Sequence, residues 1–221
     1  MKTNYSLALV GKEVTLVPYR KHHVARYHEW MCSPELLEAT ASEALSLEEE
    51  YEMQQSWRDD EKKVTFILLR GGQNGVEGGD AVANNEGIRM LGDVNLFLND
   101  YNDPRNAEIE IMVAESGQRR RGYAREALKL MMAFGMETLS LHRFYAKIGE
   151  SNSASINLFK SLGFAQVNYV EAFKEYEFAF DCRRGDDSDE LLKSINDTQA
   201  SLLREDYFKL PSTLKEWEEE E

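Results

Sequence analysis

The stretch from Glu108 to Leu141 restricts the fold more than any other part of the chain. Glu108 to Ala114 reads as a buried strand. A short loop follows, and Gly122 opens the longest helix, which runs to Leu141. On that helix Ala124, Leu128, Met131, Gly135 and Leu139 are spaced for one apolar face. Arg119, Arg120, Arg121 and Arg125 crowd its entrance. Cations are unfavourable there, because the helix dipole already places partial positive charge at that end. An anion offsets the cost, and the first amides of a helix make a ready phosphate site. Gly122 and Ala124 are small enough to let phosphate oxygens approach the backbone. An ordinary basic surface turn is the alternative. No lysine followed by Ser or Thr is present in this loop, so the segment is not the phosphate loop of nucleoside triphosphatases. No Gly-x-Gly-x-x-Gly follows the strand. The ligand implied is a phosphate-bearing molecule other than a nucleoside triphosphate or a dinucleotide.

The flanking sequence supplies the rest of an alternating α/β (α+β) pattern. Glu13 to Val17 reads as a short strand and Val24 to Met31 as a helix. Ser33-Pro34 starts another turn, with serine as N-cap and proline at the first helical position. Ser46 and Glu49 form a capping box for a helix running to about Trp57. Lys63 to Leu69 and Leu91 to Leu98 are strands that pair. Beyond the long helix, Arg143 to Ile148 is a strand and Ser153 to Leu162 a helix that Gly163 stops. Phe164 to Val170 and Lys174 to Phe180 are strands, and Tyr176, Phe178 and Phe180 alternate with Glu175 and Glu177. The order β-α-α-β-β-β-α-β-α-β-β predicts a mixed sheet with helices on its faces.

Two stretches stand apart. Residues 71–90 contain six glycines and read as a flexible loop inserted between two adjacent strands. From Asp181 to Glu221 there are 13 acidic and 6 basic residues, a net of −7, which is half of the chain's −14. Residues 182–221 are therefore expected to form an acidic appendage with a helix near Asp189 to Leu203, or a solvated tail, and not a second domain. Such a negative molecule disfavours nucleic acid as a partner. Two cysteines, Cys32 and Cys182, exclude a disulfide-rich scaffold and a cysteine-only zinc site. His22, His23, His28 and His142 make no metal-ligand spacing with either, so no metal is expected. No run of 18 apolar residues spans a membrane and no secretory signal is read at the start. The expectation is a soluble protein of the cytoplasm, with the nucleus also open to it.

The pattern Arg119-x-x-Gly122-x-Ala124 resembles the (Gln/Arg)-x-x-Gly-x-(Gly/Ala) signature of the GNAT superfamily of N-acetyltransferases. A second block supports it. Phe144 to Ile148, Asn152 to Phe159 and Leu162-Gly163-Phe164 resemble the family's strand, its Asn-led helix and the Gly-Phe that ends it. Leu16 to Tyr19 with Tyr27 to Met31 resembles the ribosomal-protein-acetyltransferase-like branch. Tyr27 to Met31, Leu45 to Tyr51, Gly92 to Leu98 and Ala146 to Gly149 resemble the N-acetyltransferase 9 group of that family. The likeness covers roughly residues 7 to 181, within a GNAT domain set at residues 1–181.

The resemblance implies a central mixed sheet splayed between two parallel strands. It implies an N-acetyltransferase that moves acetyl from acetyl-CoA to a protein amine, N-terminal or lysine, by direct transfer in a ternary complex. It also implies a link to tubulin. Pantetheine would bond to the strand edge at Met112, Val113 and Ala114, and the diphosphate to Arg119, Arg120, Arg121, Gly122, Tyr123 and Ala124. Asn152 would lie near pantetheine or the thiol, and a helix N-cap is its other reading. Phe159 stands where many members carry a tyrosine that protonates the leaving thiolate. Phenylalanine has no hydroxyl, so an acyl-CoA-binding protein or scaffold with weak catalysis is the alternative. Glu110 is the candidate base that takes the amine's proton, because strand alternation puts Glu108, Glu110 and Met112 on one face. Glu110 facing solvent, or pairing with a cation such as Lys147, is its other reading.

Overall fold

In the computed structural model, residues 2–71, 90–183, 190, 193, 194, 197 and 203–206 are described. Most of the glycine-rich loop and most of the acidic tail lie outside them. Among the described residues nine strands form one sheet in the order β7-β8-β6-β5-β4-β3-β2-β1-β9. They are β1 (Leu7–Val10), β2 (Val14–Pro18), β3 (Lys63–Arg70), β4 (Met90–Phe97), β5 (Asn106–Val113), β6 (Arg143–Gly149), β7 (Ala165–Val170), β8 (Glu175–Asp181) and β9 (Leu203–Asp206). The helices are α1 (Val24–Met31), α2 (Pro34–Ala39), α3 (Leu47–Asp59), α4 (Tyr123–Leu139) and α5 (Ser153–Ser161).

Two strands escaped the sequence reading. β1 is four residues long, and Gly11 turns it back antiparallel onto β2. The Glu126 carboxylate of α4 accepts the amides of Lys12 and Glu13 in that turn. The other is β9, which pairs antiparallel with β1 from Leu7↔Asp206 to Val10↔Leu203. Nothing in an acidic stretch rich in turn formers marks a strand whose stability comes from a partner two hundred residues earlier. Glu190, Lys193, Ser194 and Asp197 are helical, within the region where a helix is expected.

Side-chain alternation divides the core between the two faces of the sheet. Leu16, Phe66, Leu68, Val94, Leu96 and Ile109 pack with Leu128, Met131, Met132 and Phe134 of α4 and with Phe159 of α5. Val17, Ile67, Leu69, Met90, Met112 and Ala114 pack on the other face with Val24, Tyr27, Trp30 and Met31 of α1 and Leu36 of α2. The capping box of α3 forms as its sequence predicts: Ser46 Oγ accepts the Glu49 amide at 3.3 Å and Glu49 Oε2 accepts the Ser46 amide at 2.8 Å.

The feature that positions the site is the pairing of β5 with β6. It is parallel, joined through α4, and runs in register only from Asn106↔Arg143 to Glu108↔Tyr145. Beyond that point β5 stays with β4 as far as Gly92↔Val113, while β6 follows β8 as far as Gly149↔Glu175. The two parallel strands diverge, which is the splay the resemblance implies.

Candidate active site

The open stretch of β5 begins at Ile109. In a strand, the N–H and C=O of one residue point to the same side and successive residues alternate. Ala114 N–H bonds to Leu91 O at 2.8 Å, so Ala114 turns toward β4. Met112 does the same. Its carbonyl oxygen lies so close to Gly92 that a Cβ there would sit 1.8 Å from it, and only glycine fits. The odd-numbered residues, Ile111 and Val113, therefore turn their backbone groups into the gap. Of the three residues expected to offer their backbone, Val113 alone turns toward the gap, and with its carbonyl held by Arg119 Nε it has its N–H to offer. Met112 and Ala114 are committed to β4, and their side chains are buried. Ile111 was missed, although the alternation that reveals it is legible once one hydrogen bond is known.

After β5 the chain makes a 3-10 turn at Ser116–Gln118 and two left-handed residues, Arg120 (φ 61) and Gly122 (φ 88). Backbone that doubles back in this way makes a concavity of amides. Gly122 is the N-cap of α4 and gives it no side-chain cap. The first intrahelical bond runs from Glu126 N–H to Gly122 O at 3.0 Å, which leaves the amides of Tyr123, Ala124 and Arg125 ahead of the ladder. A Cβ on Gly122 would meet nothing within 4 Å, so the chain stands beside open space at this N-cap. These residues fit a diphosphate.

The four arginines do not act alike. Arg119 donates from Nε to Val113 O at 2.9 Å and from Nη1 to Glu35 Oε1 at 2.6 Å. Arg125 donates to Ser161 O and Oγ at the end of α5. Arg120 and Arg121 are exposed beside Gly122. Two of the four thus brace the protein and two face solvent near the amides. The side chain of Tyr123 lies in the core, as does Phe159, edge-on to Phe164 at 5.0 Å between ring centroids. Any contact of these two with a ligand runs through backbone. Asn152 is the N-cap of α5, its Oδ1 accepting the Ser155 amide at 3.1 Å, which leaves the side-chain NH2 as the donor it can offer a ligand.

Glu108, Glu110 and Met112 share the face of the sheet that carries α1 and α3. Lys147 pairs with Glu108, at 2.8 Å, rather than with Glu110. Glu110 is exposed, as its other reading allows, although protein packs around part of its carboxyl. Desolvation pushes its carboxyl up to about 7, and the Glu108 charge adds to this while Lys63 and Lys147 oppose it. Across β4, Asn95 stands opposite Glu110 in register. Asn95 donates to Asp93 Oδ2 at 2.6 Å and accepts from Thr65 Oγ1 at 2.6 Å. Tyr27 OH donates to the same Asp93 oxygen at 3.5 Å. Burial raises Asp93 to about 6, against the hydrogen bond from Asn95 and the charge of Lys63. Lys63 Nζ lies 3.3 Å from the Trp57 ring centroid and 4.0 Å from that of Phe97. Its burial lowers it to about 8. Sequence reasoning missed this polar row behind Glu110. Asp93 and Asn95 at alternate positions of an otherwise apolar strand were the signal. Among the described residues no cluster of three or more His, Cys, Asp or Glu side chains could hold a metal ion.

Comparisons with known proteins agree with this geometry. The model of the acetyltransferase (GNAT) domain matches residues 13–165. An N-acetyltransferase 9-like protein of Nematostella vectensis is 53% identical over 184 residues, covering 82% of this chain and 89% of that protein. Alpha/beta-tubulin-N-acetyltransferase 9 of Homo sapiens is 47% identical over 176 residues, covering 79% and 83%. Among solved structures, spermidine N-acetyltransferase from Vibrio cholerae in complex with CoA and spermine has a TM-score of 0.64 at 17% identity, covering 78% of this chain and 97% of that one. That last likeness speaks for the fold alone. The match along most of the chain settles its kinship: it belongs to the GNAT acetyltransferases and is an N-acetyltransferase of the N-acetyltransferase 9-like group.

Proposed function

We propose that the chain moves an acetyl group from acetyl-CoA to a protein amine, N-terminal or lysine, directly and within one ternary complex. The observation that carries this reading is the opened β5–β6 pair, with the uncapped start of α4 at one end of β5 and Glu110 along it. Acetyl-CoA supplies the acetyl thioester when bound. The amides of Gly122, Tyr123 and Ala124 hold its diphosphate, and exposed Arg120 and Arg121 add charge. Ile111 and Val113 offer the strand edge to pantetheine, and the Asn152 side-chain NH2 lies on the β6 side of the gap, just past the end of that strand.

An attacking amine must be neutral. Glu110, with its carboxyl near 7, is substantially ionised at neutral pH and basic enough to take a proton, directly or through a water. An α-amine with a pKa near 8 needs little help, and a lysine near 10.4 needs more. The rest of the rate comes from holding amine and thioester together. Relatives named alpha/beta-tubulin-N-acetyltransferase 9 make tubulin the first acceptor to test, and such an acceptor would place the reaction in the cytoplasm. Among the described residues no helix is long and apolar enough to cross a membrane.

One observation favours a second reading, a CoA-binding scaffold with little turnover. The side chain at position 159 is a buried phenylalanine with no proton to give. Calorimetry with acetyl-CoA, followed by thiol release with a peptide panel that includes tubulin N-termini, decides. Binding with turnover supports the transferase. Binding without turnover on any amine supports the scaffold. Failure to bind acetyl-CoA, with a phosphopeptide bound instead, overturns both.

A further inference from the structure

The phosphate loop is tied to the α1–α2 layer at two points. Glu115, just after β5, accepts on one oxygen, Oε1, from Trp30 Nε1 at 2.7 Å and from Arg26 Nη2 at 2.6 Å. Both donors belong to α1. Arg26 is itself braced by Glu29. Four residues later, Arg119 reaches Glu35 of α2 while it also donates to Val113 O. The loop is therefore gripped before and after its 3-10 turn, and both grips lead to the helices that cover the Glu110 face of the sheet.

Simple electrostatics argues against this arrangement. A carboxylate beside an anion site repels the anion, and an arginine spent on Glu35 is not free to attract it. The arrangement makes sense if the shape of the loop matters more than its charge. Trp30 is the firm half of the grip, because its ring is 6% exposed within the apolar cluster of α1 and the sheet. We propose that Glu115 is a positioning residue that locks the phosphate loop to Trp30 of α1, so that order in the helical layer and affinity for CoA rise and fall together. This rests on the acetyl-CoA reading above.

Charge and shape predict opposite signs. Glu115→Ala removes both the charge and the acceptor. If shape dominates, CoA affinity in calorimetry falls by roughly fivefold to tenfold, the cost of one charge-assisted hydrogen bond to an ordered loop. Trp30→Phe keeps the carboxylate and loses the indole N–H, and it weakens CoA as well. Glu115→Gln keeps an acceptor without charge and recovers part of the loss. The KM for acetyl-CoA rises with little change in kcat, and hydrogen exchange of the amides from Ser116 to Ala124 speeds up in both weakened variants. Tighter or unchanged CoA binding by Glu115→Ala, or wild-type affinity in Trp30→Phe, overturns the proposal while wild-type binding upholds the acetyl-CoA reading. A wild-type protein that binds no CoA overturns both. Circular dichroism confirms the fold of each variant, and Glu115→Gln carries the test if Glu115→Ala fails to fold.

Discussion

Gly122 carries the sharpest single-residue expectation. Its φ of 88 lies in the left-handed region, and the space before it is open. Asn and Asp tolerate that conformation better than other side chains, so the pair Gly122→Asn and Gly122→Asp separates geometry from charge. The aspartate is expected to weaken CoA binding by roughly tenfold more than the asparagine, through like charge at close range. Equal affinities of the two would move the diphosphate elsewhere. Glu110 makes a pH prediction. Activity should rise with pH through about 7 in the wild type, and Glu110→Gln should lose that limb while keeping its affinity for acetyl-CoA. Folding stability should move the other way. The folded carboxyl binds its proton up to about 7 and the unfolded one only to about 4.5, so stability falls as pH rises through that window. The melting temperature of Glu110→Gln should therefore exceed the wild type's by more at pH 8 than at pH 5. A constant difference would mean that Glu110 is not desolvated. Asp93, raised to about 6, contributes with the same sign, and because its charge acts on Glu110 the comparison reads the two carboxyls as a coupled pair.

At the scale of elements, local signals were the ones the sequence made legible. The capping box of α3 rests on two residues three positions apart, and both of its bonds form. Ser46→Ala should cost about 1 kcal/mol in chemical denaturation, with no change in CoA affinity. A cost near zero would mean that the exposed cap contributes nothing. The strand, loop and long helix around Gly122 were legible for the same reason: residue type and period suffice. What escaped needed a partner. Ile111 faces the gap because Ala114 bonds to Leu91, and no one-dimensional pattern contains that bond. Arg119 looked like an anion ligand by its place at a helix entrance, yet its side chain serves Val113 and Glu35. The same holds for Lys147, which meets Glu108 because the parallel register stops there.

At the scale of the molecule, the negative charge is unevenly spread along the sequence. The chain carries −14 in all, and half of this falls after residue 180. Yet part of that stretch is built into the sheet, where β9 covers the outer edge of β1. An uncovered strand edge invites pairing with other chains. Truncation after Arg183 should therefore lower the melting temperature by several degrees and promote association on size-exclusion chromatography, while CoA affinity stays within about twofold of the full chain, since β9 lies five places from β5 in the sheet order. A truncated protein as stable as the full chain would mean that β9 contributes nothing. The central claim is that the gap between β5 and β6, closed at one end by the start of α4, receives coenzyme A. The most direct test is a crystal structure of the full chain grown with CoA. The account predicts the diphosphate on the amides of Gly122, Tyr123 and Ala124 and pantetheine along Ile111 and Val113. A diphosphate bound elsewhere, or a gap that stays empty at saturating CoA, would contradict it.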